Sequence, residues 1–373
     1  MQQAIISHDN LVWMHCSSLG EFEQGRPVLE QLKKQNAKCK ILLTFFSPSG
    51  FEVRKDYADA DYIFYLPMDG PGNARKLFDI VNPSLVLFVK YEFWNYYLHE
   101  AKKRDIPLFL ISGIFRSTQP FFKSYGGFYR KMLRCFTHFF VQNVESVKLL
   151  NAIGISKNVS LSGDTRFDRV IEIAESFEPV AVFDRFCINR DVIVAGSTWR
   201  EDDEEIDHYA NTQKEVRFII APHDIGSDRI AECKRLFKHA VLYSKLKEPL
   251  PEHVNTIIVD NVGMLSRLYK YATVCYVGGG FGEDGVHNVL EAAVYGKPVV
   301  FGPEYEKYFE AKELVEAGGG IAVSSALELE KELDVLLKRG EKYNAACQAS
   351  KDYVYSKKGA TNEIIQFIMQ NVF

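Results

Sequence analysis

The residues of this chain most able to do chemistry include a glycine-rich run, Val277-Gly278-Gly279-Gly280-Phe281-Gly282, that leaves a short apolar stretch. Beyond it His287–Tyr295 reads as a helix stopped by Gly296. Glycines let a backbone approach a ligand closely, and the free N–H groups at a helix start attract phosphate. Glu291 falls near the first turn of that helix, where a carboxylate can accept hydrogen bonds from both hydroxyls of a ribose. A plain tight turn beside an acidic residue reads the same way. The run is no dinucleotide fingerprint, because no helix follows it at once and it sits in the second half of the chain; nor does a Walker A motif occur.

Three charged residues stand at strand ends or between predicted elements. Glu21 closes His15-Cys16-Ser17-Ser18-Leu19-Gly20-Glu21, directly after the first apolar run. Ligands of open α/β sheets lie beyond the carboxyl ends of strands, so a carboxylate there can act as a general base. It can equally just favour the start of the next helix. Glu92, in Lys90-Tyr91-Glu92-Phe93-Trp94, follows another apolar run and is a second acidic candidate or a structural carboxylate. Arg166, in Gly163-Asp164-Thr165-Arg166-Phe167-Asp168, can hold an anion or simply be solvated. Gly196-Ser197-Thr198 follows a strand-like run in the second half.

The elements that must position these residues follow one rhythm. Leu11–Cys16, Ile41–Thr44, Tyr62–Leu66, Leu85–Val89, Leu108–Ser112 and Thr137–Val141 read as strands, and Gly25–Gln35 as a helix with Val28, Leu29 and Leu32 on one face. Runs apolar on both faces mark buried parallel strands, and their alternation with helices marks a doubly wound α/β domain. The rhythm restarts with Val192–Ala195, Arg217–Ala221, Ala240–Tyr243, Thr256–Val259, Val274–Val277 and Val299–Phe301. A linker is expected near Glu178–Asp184, and helices at Leu327–Leu337, Glu341–Tyr355 and Asn362–Met369. The expected domains are 1–177, 178–355 and a terminal helical segment, 356–373.

The bulk numbers exclude several classes. A chain of 373 residues, 47% hydrophobic and 25% charged, suits two soluble folded domains. A net charge of -4 offers no global basic field for nucleic acid. Seven cysteines, scattered singly and without a Cys/His cluster, argue against a disulfide framework or a structural zinc, and fit a reducing cytoplasm. Met1–Asn10 is polar and does not read as a signal peptide, and no run of about 18 apolar residues predicts a membrane span.

Taken in order, these pieces resemble the 3-deoxy-D-manno-octulosonic acid (Kdo) transferase family, from about Trp13 to Tyr308. The resemblance rests on His15–Glu21 with Pro27, Thr44–Gly50, Tyr65–Asp69, Glu92-Phe93-Trp94, Gly163–Asp168, Ala195–Thr198, Ala221-Pro222-His223, Val277–Gly279, His287–Glu291 and Phe301-Gly302-Pro303. It implies a GT-B fold, in which two Rossmann-like domains with parallel sheets face a cleft and the last helix crosses back to the first domain. It implies Glu21 as catalytic base, with Glu92 and Arg166 stabilising the transition state. It places CMP against Pro222-His223, Val262-Gly263-Met264 and Asn288-Val289-Leu290-Glu291. The chain departs from the family pattern at His223 (usually Arg), Arg166 (usually Lys), Val289 (usually Pro) and Met264 (usually Glu). Arg keeps the charge of Lys but bonds differently, and a histidine is only partly charged near neutral pH.

The implied reaction is inverting transfer of Kdo from CMP-Kdo to the tetraacylated lipid A precursor, with no metal or other cofactor. The implied place is the cytoplasmic face of the bacterial inner membrane, with peripheral contact. The family usually starts with an apolar anchor that is not read here, so the chain is expected to start late. Arg116, Phe121, Phe122, Lys123, Tyr125, Phe128, Tyr129, Arg130, Lys131, Met132 and Arg134 mix aromatic and basic side chains. They can rest on an anionic interface or meet acceptor phosphates, or form an ordinary amphipathic helix. The rival readings are another GT-B nucleotide-sugar enzyme, a UDP-hexosamine transferase or epimerase, and a non-catalytic sugar-nucleotide or lipid binder.

Overall fold

A computed structural model describes residues 10–246 and 249–373. The polar start read for a leader therefore lies, except for Asn10, outside the described residues. The chain divides into two compact units: residues 1–169 together with 359–373, and residues 170–358. The helix Thr165–Glu175 runs across the division. The expected breaks at 177/178 and 355/356 stand against divisions after Arg169 and Lys358, because apolar pattern cannot tell which core a continuous helix serves.

The first unit holds a sheet of β1 (Leu11–Cys16), β2 (Lys40–Phe45), β3 (Tyr62–Tyr65), β4 (Leu85–Val89), β5 (Leu108–Gly113), β6 (His138–Val141) and β7 (Val159–Leu161). The strands are all parallel, in the order β3-β2-β1-β4-β5-β6-β7. The chain winds outward one way from β1, then returns to lay β4 on the other side of it. That reversal opens a crevice beyond the carboxyl ends of β1 and β4.

Alternation along β1 feeds two cores at once. Leu11 and Trp13 join one layer, where the Trp13 ring meets Phe78, Phe88 and Tyr97 edge-on at 5.5, 5.4 and 5.7 Å. Val12, Met14 and Cys16 join the other, under the helix Leu19–Gln35. That helix starts earlier than its apolar stripe suggested. Gly25 lies within it and lets it settle on the sheet, since a Cβ there would stand 2.8 Å from Met14 Sδ. The terminal helix Ala360–Asn371 inserts Ile364, Ile365 and Ile368, all fully buried, into this same layer. Asp168 fixes its start by accepting the N–H groups of Gly359 and Thr361, both at 2.7 Å. The expected return of the last helix to the first unit is therefore found.

The second unit repeats the plan with β8 (Val192–Thr198), β9 (Arg217–Pro222), β10 (Ala240–Leu242), β11 (Thr256–Ile258), β12 (Val274–Val277), β13 (Val299–Phe301) and β14 (Gly320–Ala322). The order β10-β11-β9-β8-β12-β13-β14 puts its reversal between β8 and β12. β7 and β14 went unread because each is a three-residue edge strand without a continuous buried run. No helix among the described residues is long and apolar enough to cross a membrane.

Candidate active site

In the first unit the reversal gathers the acidic candidates. Ser18 begins the helix Leu19–Gln35, and Glu21 is its third residue. The Ser18 N–H and hydroxyl donate to Glu21 Oε2 at 2.9 and 3.2 Å, which satisfies a backbone donor that the helix itself leaves unpaired. Among the described residues Glu21 Oε1 takes no such bond. Burial, then the charge of Glu92, raise the pKa of Glu21 against the opposing Ser18 bonds and Lys90. Glu21 is thus both a helix cap and a carboxylate that holds a proton more readily than an exposed one.

Glu92 follows β4 and is buried, 4% exposed. Burial pushes its pKa up, but contacts with His15, Ser17 and Trp94 outweigh it and hold the group below the usual carboxylate value. His15 Nε2 stands 3.0 Å from Glu92 Oε2, close in distance although off the line of a well-formed hydrogen bond. Trp94 Nε1–H donates to the same oxygen. Two neighbouring carboxylates are therefore driven in opposite directions, which is how one site assigns unequal acid–base roles.

Arg166 lies after β7, at the start of the helix Thr165–Glu175. Its Nε and Nη2 donate to Asp164 Oδ2 at 2.9 and 2.7 Å, and its N–H donates to Oδ1 at 2.9 Å. The preceding Thr165 donates its hydroxyl to the Gln24 carbonyl and lies 3.0 Å from Ser112 Oγ at the end of β5. The Arg166 turn is in this way tied to the helix that carries Glu21.

The residues read as nucleotide contacts all belong to the second unit. Pro222 ends β9, and His223 follows it. Val262-Gly263-Met264 forms the turn between β11 and the helix Leu265–Leu268, with Val262 82% exposed and Gly263 at φ +94°. Asn288 to Glu291 follow β12; Asn288 Nδ2 donates to Glu291 Oε1 at 2.9 Å, and Asn288 Oδ1 accepts the Leu290 N–H at 3.2 Å. The strands being parallel, these groups share the carboxyl edge of one sheet. One expectation needs correction. The helix expected over His287–Tyr295 is only Leu290–Ala293, so its dipole is slight. Val289 and Leu290 are fully buried, which leaves their side chains to the core and only their backbone to a ligand.

Around His223 the structure assembles a feature the sequence did not announce. His223 stacks on Trp199 at 4.7 Å and on His287 at 4.4 Å. Trp199 Nε1–H donates to His287 Nε2 at 2.9 Å, so that nitrogen is an acceptor and the ring is neutral. Burial, then His223, lower the His287 pKa to about 4; burial also lowers that of His223. Where the resemblance implies a fixed charge, this chain has an aromatic stack. Beneath it, Asp202 accepts the N–H groups of Trp199 and Gly279, both at 2.8 Å, and the Tyr276 hydroxyl at 2.7 Å. Nothing in the sequence singled out Asp202, since its burial depends on strands distant in sequence.

The glycine run itself is shaped by protein contacts. A Cβ on Gly278 would lie 2.4 Å from Ser197 O, and one on Gly280 would lie 2.6 Å from Gly302 N. These glycines let three loops pack backbone to backbone, which is a structural reason independent of any ligand.

Residues 2–169 match the sequence profile of the 3-deoxy-D-manno-octulosonic-acid transferase (kdotransferase) family. The chain is 29% identical over 334 residues to a 3-deoxy-D-manno-octulosonic acid transferase of Aquifex aeolicus, covering 87% of this chain and 86% of that protein. It is 26% identical over 343 residues to a bifunctional glycosyltransferase/methyltransferase of Fusobacterium nucleatum, covering 89% of this chain but only 53% of that protein's length. In fold it is similar to the UDP-GlcNAc 2-epimerase of Neisseria meningitidis, with a TM-score of 0.67, 18% identity, and coverage of 97% of this chain and 100% of the other. The architecture is GT-B, and the chain is a glycosyltransferase similar to the 3-deoxy-D-manno-octulosonic acid transferases.

Proposed function

We propose that the chain transfers Kdo from CMP-Kdo to the tetraacylated lipid A precursor in lipopolysaccharide synthesis, by a single inverting displacement. The observation that carries this reading is the unequal pair at the β1/β4 reversal, with Glu21 raised in pKa and Glu92 held ionised. The acceptor hydroxyl gives its proton to Glu21 Oε1 while its oxygen bonds the anomeric carbon. On the opposite face the bond from that carbon to the phosphate oxygen breaks, and CMP leaves with the electron pair. Glu92 balances the positive charge developing on the sugar, and Arg166, oriented by Asp164, supplies positive charge for the donor's anionic groups. The names carried by the relatives support Kdo as the transferred sugar.

In the second unit we assign CMP to the side chains of His223, Asn288 and Glu291 and to the backbone of Pro222, Val262–Met264, Val289 and Leu290. A monophosphate leaving group needs less neutralisation than a diphosphate, so the proposal includes no metal. The helix Gly127–Leu133 and the turn before it support a peripheral contact with the cytoplasmic leaflet of the inner membrane. Tyr125 and Phe128 are 71% and 58% exposed there, beside exposed Lys131 and Arg134. The test is a transfer assay with CMP-Kdo generated in place, run with CMP or UDP as competitor and with a chelator. Inhibition by CMP, indifference to UDP and an unchanged rate with chelator are expected. Inhibition by UDP alone would favour a UDP-hexosamine enzyme, and loss with chelator reversed by magnesium would overturn the metal-free step.

A further inference from the structure

His15 lies in the middle of the first sheet, and its surroundings follow from register. Alternation along β1 puts it on the same face as Trp13, with Thr44 of β2 opposite on one side and Phe88 of β4 on the other. It is fully buried. Its Nδ1 lies 2.9 Å from Thr44 Oγ1 and 3.1 Å from the Thr44 carbonyl, and Thr44 Oγ1 accepts Trp13 Nε1–H at 2.8 Å. The ring packs against Phe88 and Trp94 with centroids 5.5 and 5.6 Å away. So held, the ring has little freedom to turn, and its Nε2 stands 3.0 Å from Glu92 Oε2, within ion-pair reach.

An ionised carboxylate in such a place needs fixed partners, because burial disfavours its charge. His15 and Trp94 converge on one oxygen of Glu92, from β1 and from the turn after β4. We infer that His15 is a positioning residue for the transfer: its Nε2 keeps the Glu92 carboxylate ionised and in one orientation beside Glu21. The inference rests on the reading of Glu21 and Glu92 as the reactive carboxylates. Its chemical consequence is that the acceptor proton goes to Glu21, because Glu92 is prevented from taking it. The other charged or titratable groups acting here are Cys16 from β1, Glu23 from the following helix, and Lys90 from the turn after β4. Glu23 is itself paired with Arg54 of the helix Pro48–Arg54.

The test compares His15→Gln with His15→Asn. The glutamine amide nitrogen reaches about where Nε2 stands, whereas the asparagine side chain ends near Nδ1. His15→Gln should keep kcat within about fivefold of wild type, and His15→Asn should lower it roughly 10- to 100-fold, as for a buried carboxylate that loses a close polar partner. The KM of each substrate should stay within about twofold, since the loss falls on the transition state. In His15→Asn the acid limb of the pH–rate profile, set by Glu21 in the wild type, should move to higher pH, because Glu92 must also be ionised and without its partner becomes the first of the two to protonate. Infrared spectra of protein carrying carbon-13 glutamate, with Glu92→Gln as the assignment reference, should show Glu92 protonating at higher pH in His15→Asn. Equal loss in both variants with an unmoved acid limb would overturn the inference, as would full activity of His15→Asn. Should His15→Asn not fold, Trp94→Phe removes the other donor and must shift the limb the same way; an unmoved limb there also overturns it. Absence of transfer from wild type would remove the proposed function, while the infrared titration would still read the His15–Glu92 coupling.

Discussion

Among single residues, Glu21 and Glu92 are alike in type and opposite in setting. Glu21 is half-buried, and its pKa is raised by burial first and by the Glu92 charge second. A base works only when ionised, so activity should fall as pH drops through that raised pKa. The acid limb of kcat/KM should lie above about 4.3, where an ordinary glutamate would put it. Glu92→Gln, by removing the neighbouring charge, should shift the limb toward lower pH while lowering the rate. A limb at or below the ordinary value would contradict the assignment. Both acids stood out because each falls soon after a strand that reads plainly apolar, but that position alone read equally as a helix-start or structural carboxylate. What sets their environments was not legible, since His15 and Ser17 meet Glu92 only after β1 and β4 have paired.

At the scale of elements, the central strands were read nearly to their ends because both faces are buried. The short edge strands β7 and β14 lacked that signal. The helix Leu19–Gln35 was read from Gly25 onward because Gly20 and Gly25 look like breakers, although Gly25 is needed where the helix meets Met14. The expected helix after the glycine run shrank to Leu290–Ala293, since Asn288 and the backbone packing of Gly278–Gly280 take up the turn before it. The aromatic and basic stretch divides between two roles that sequence could not separate. Phe121 and Met132 enter the core, and Arg130 donates to the Lys123 and Ser124 carbonyls, while Tyr125, Phe128, Lys131 and Arg134 face outward. Reversing the charges of Lys131 and Arg134 should therefore weaken binding to anionic vesicles by about tenfold or more, at about 1 kcal/mol per lost basic residue. Fold should be retained, because neither side chain is buried. Unchanged partition in a sedimentation assay would remove the helix from the membrane contact.

For the whole molecule, the division into units follows core ownership more than chain order. The last helix supplies Ile364, Ile365 and Ile368 to the layer beneath β1, and Asp168 binds its first N–H groups. Each fully buried isoleucine stabilises by about 1.5–3 kcal/mol, so loss of all three removes much of the 5–15 kcal/mol that keeps a domain folded. A chain ending at Lys358 should lose the cooperative unfolding transition of the first unit and become protease-sensitive there, while residues 170–358 keep their own transition. Calorimetry and limited proteolysis would show this. Two undiminished transitions would mean that the terminal helix is dispensable.

The central claim is that Glu21 takes the acceptor proton, and Glu21→Gln tests it most directly. The amide oxygen can still accept the Ser18 bonds that start the helix, so the fold is kept while the base is removed. Transfer from CMP-Kdo to the tetraacylated precursor should fall by about 10²- to 10⁴-fold, with CMP binding unchanged. Wild-type rates from the variant would contradict the account at its centre.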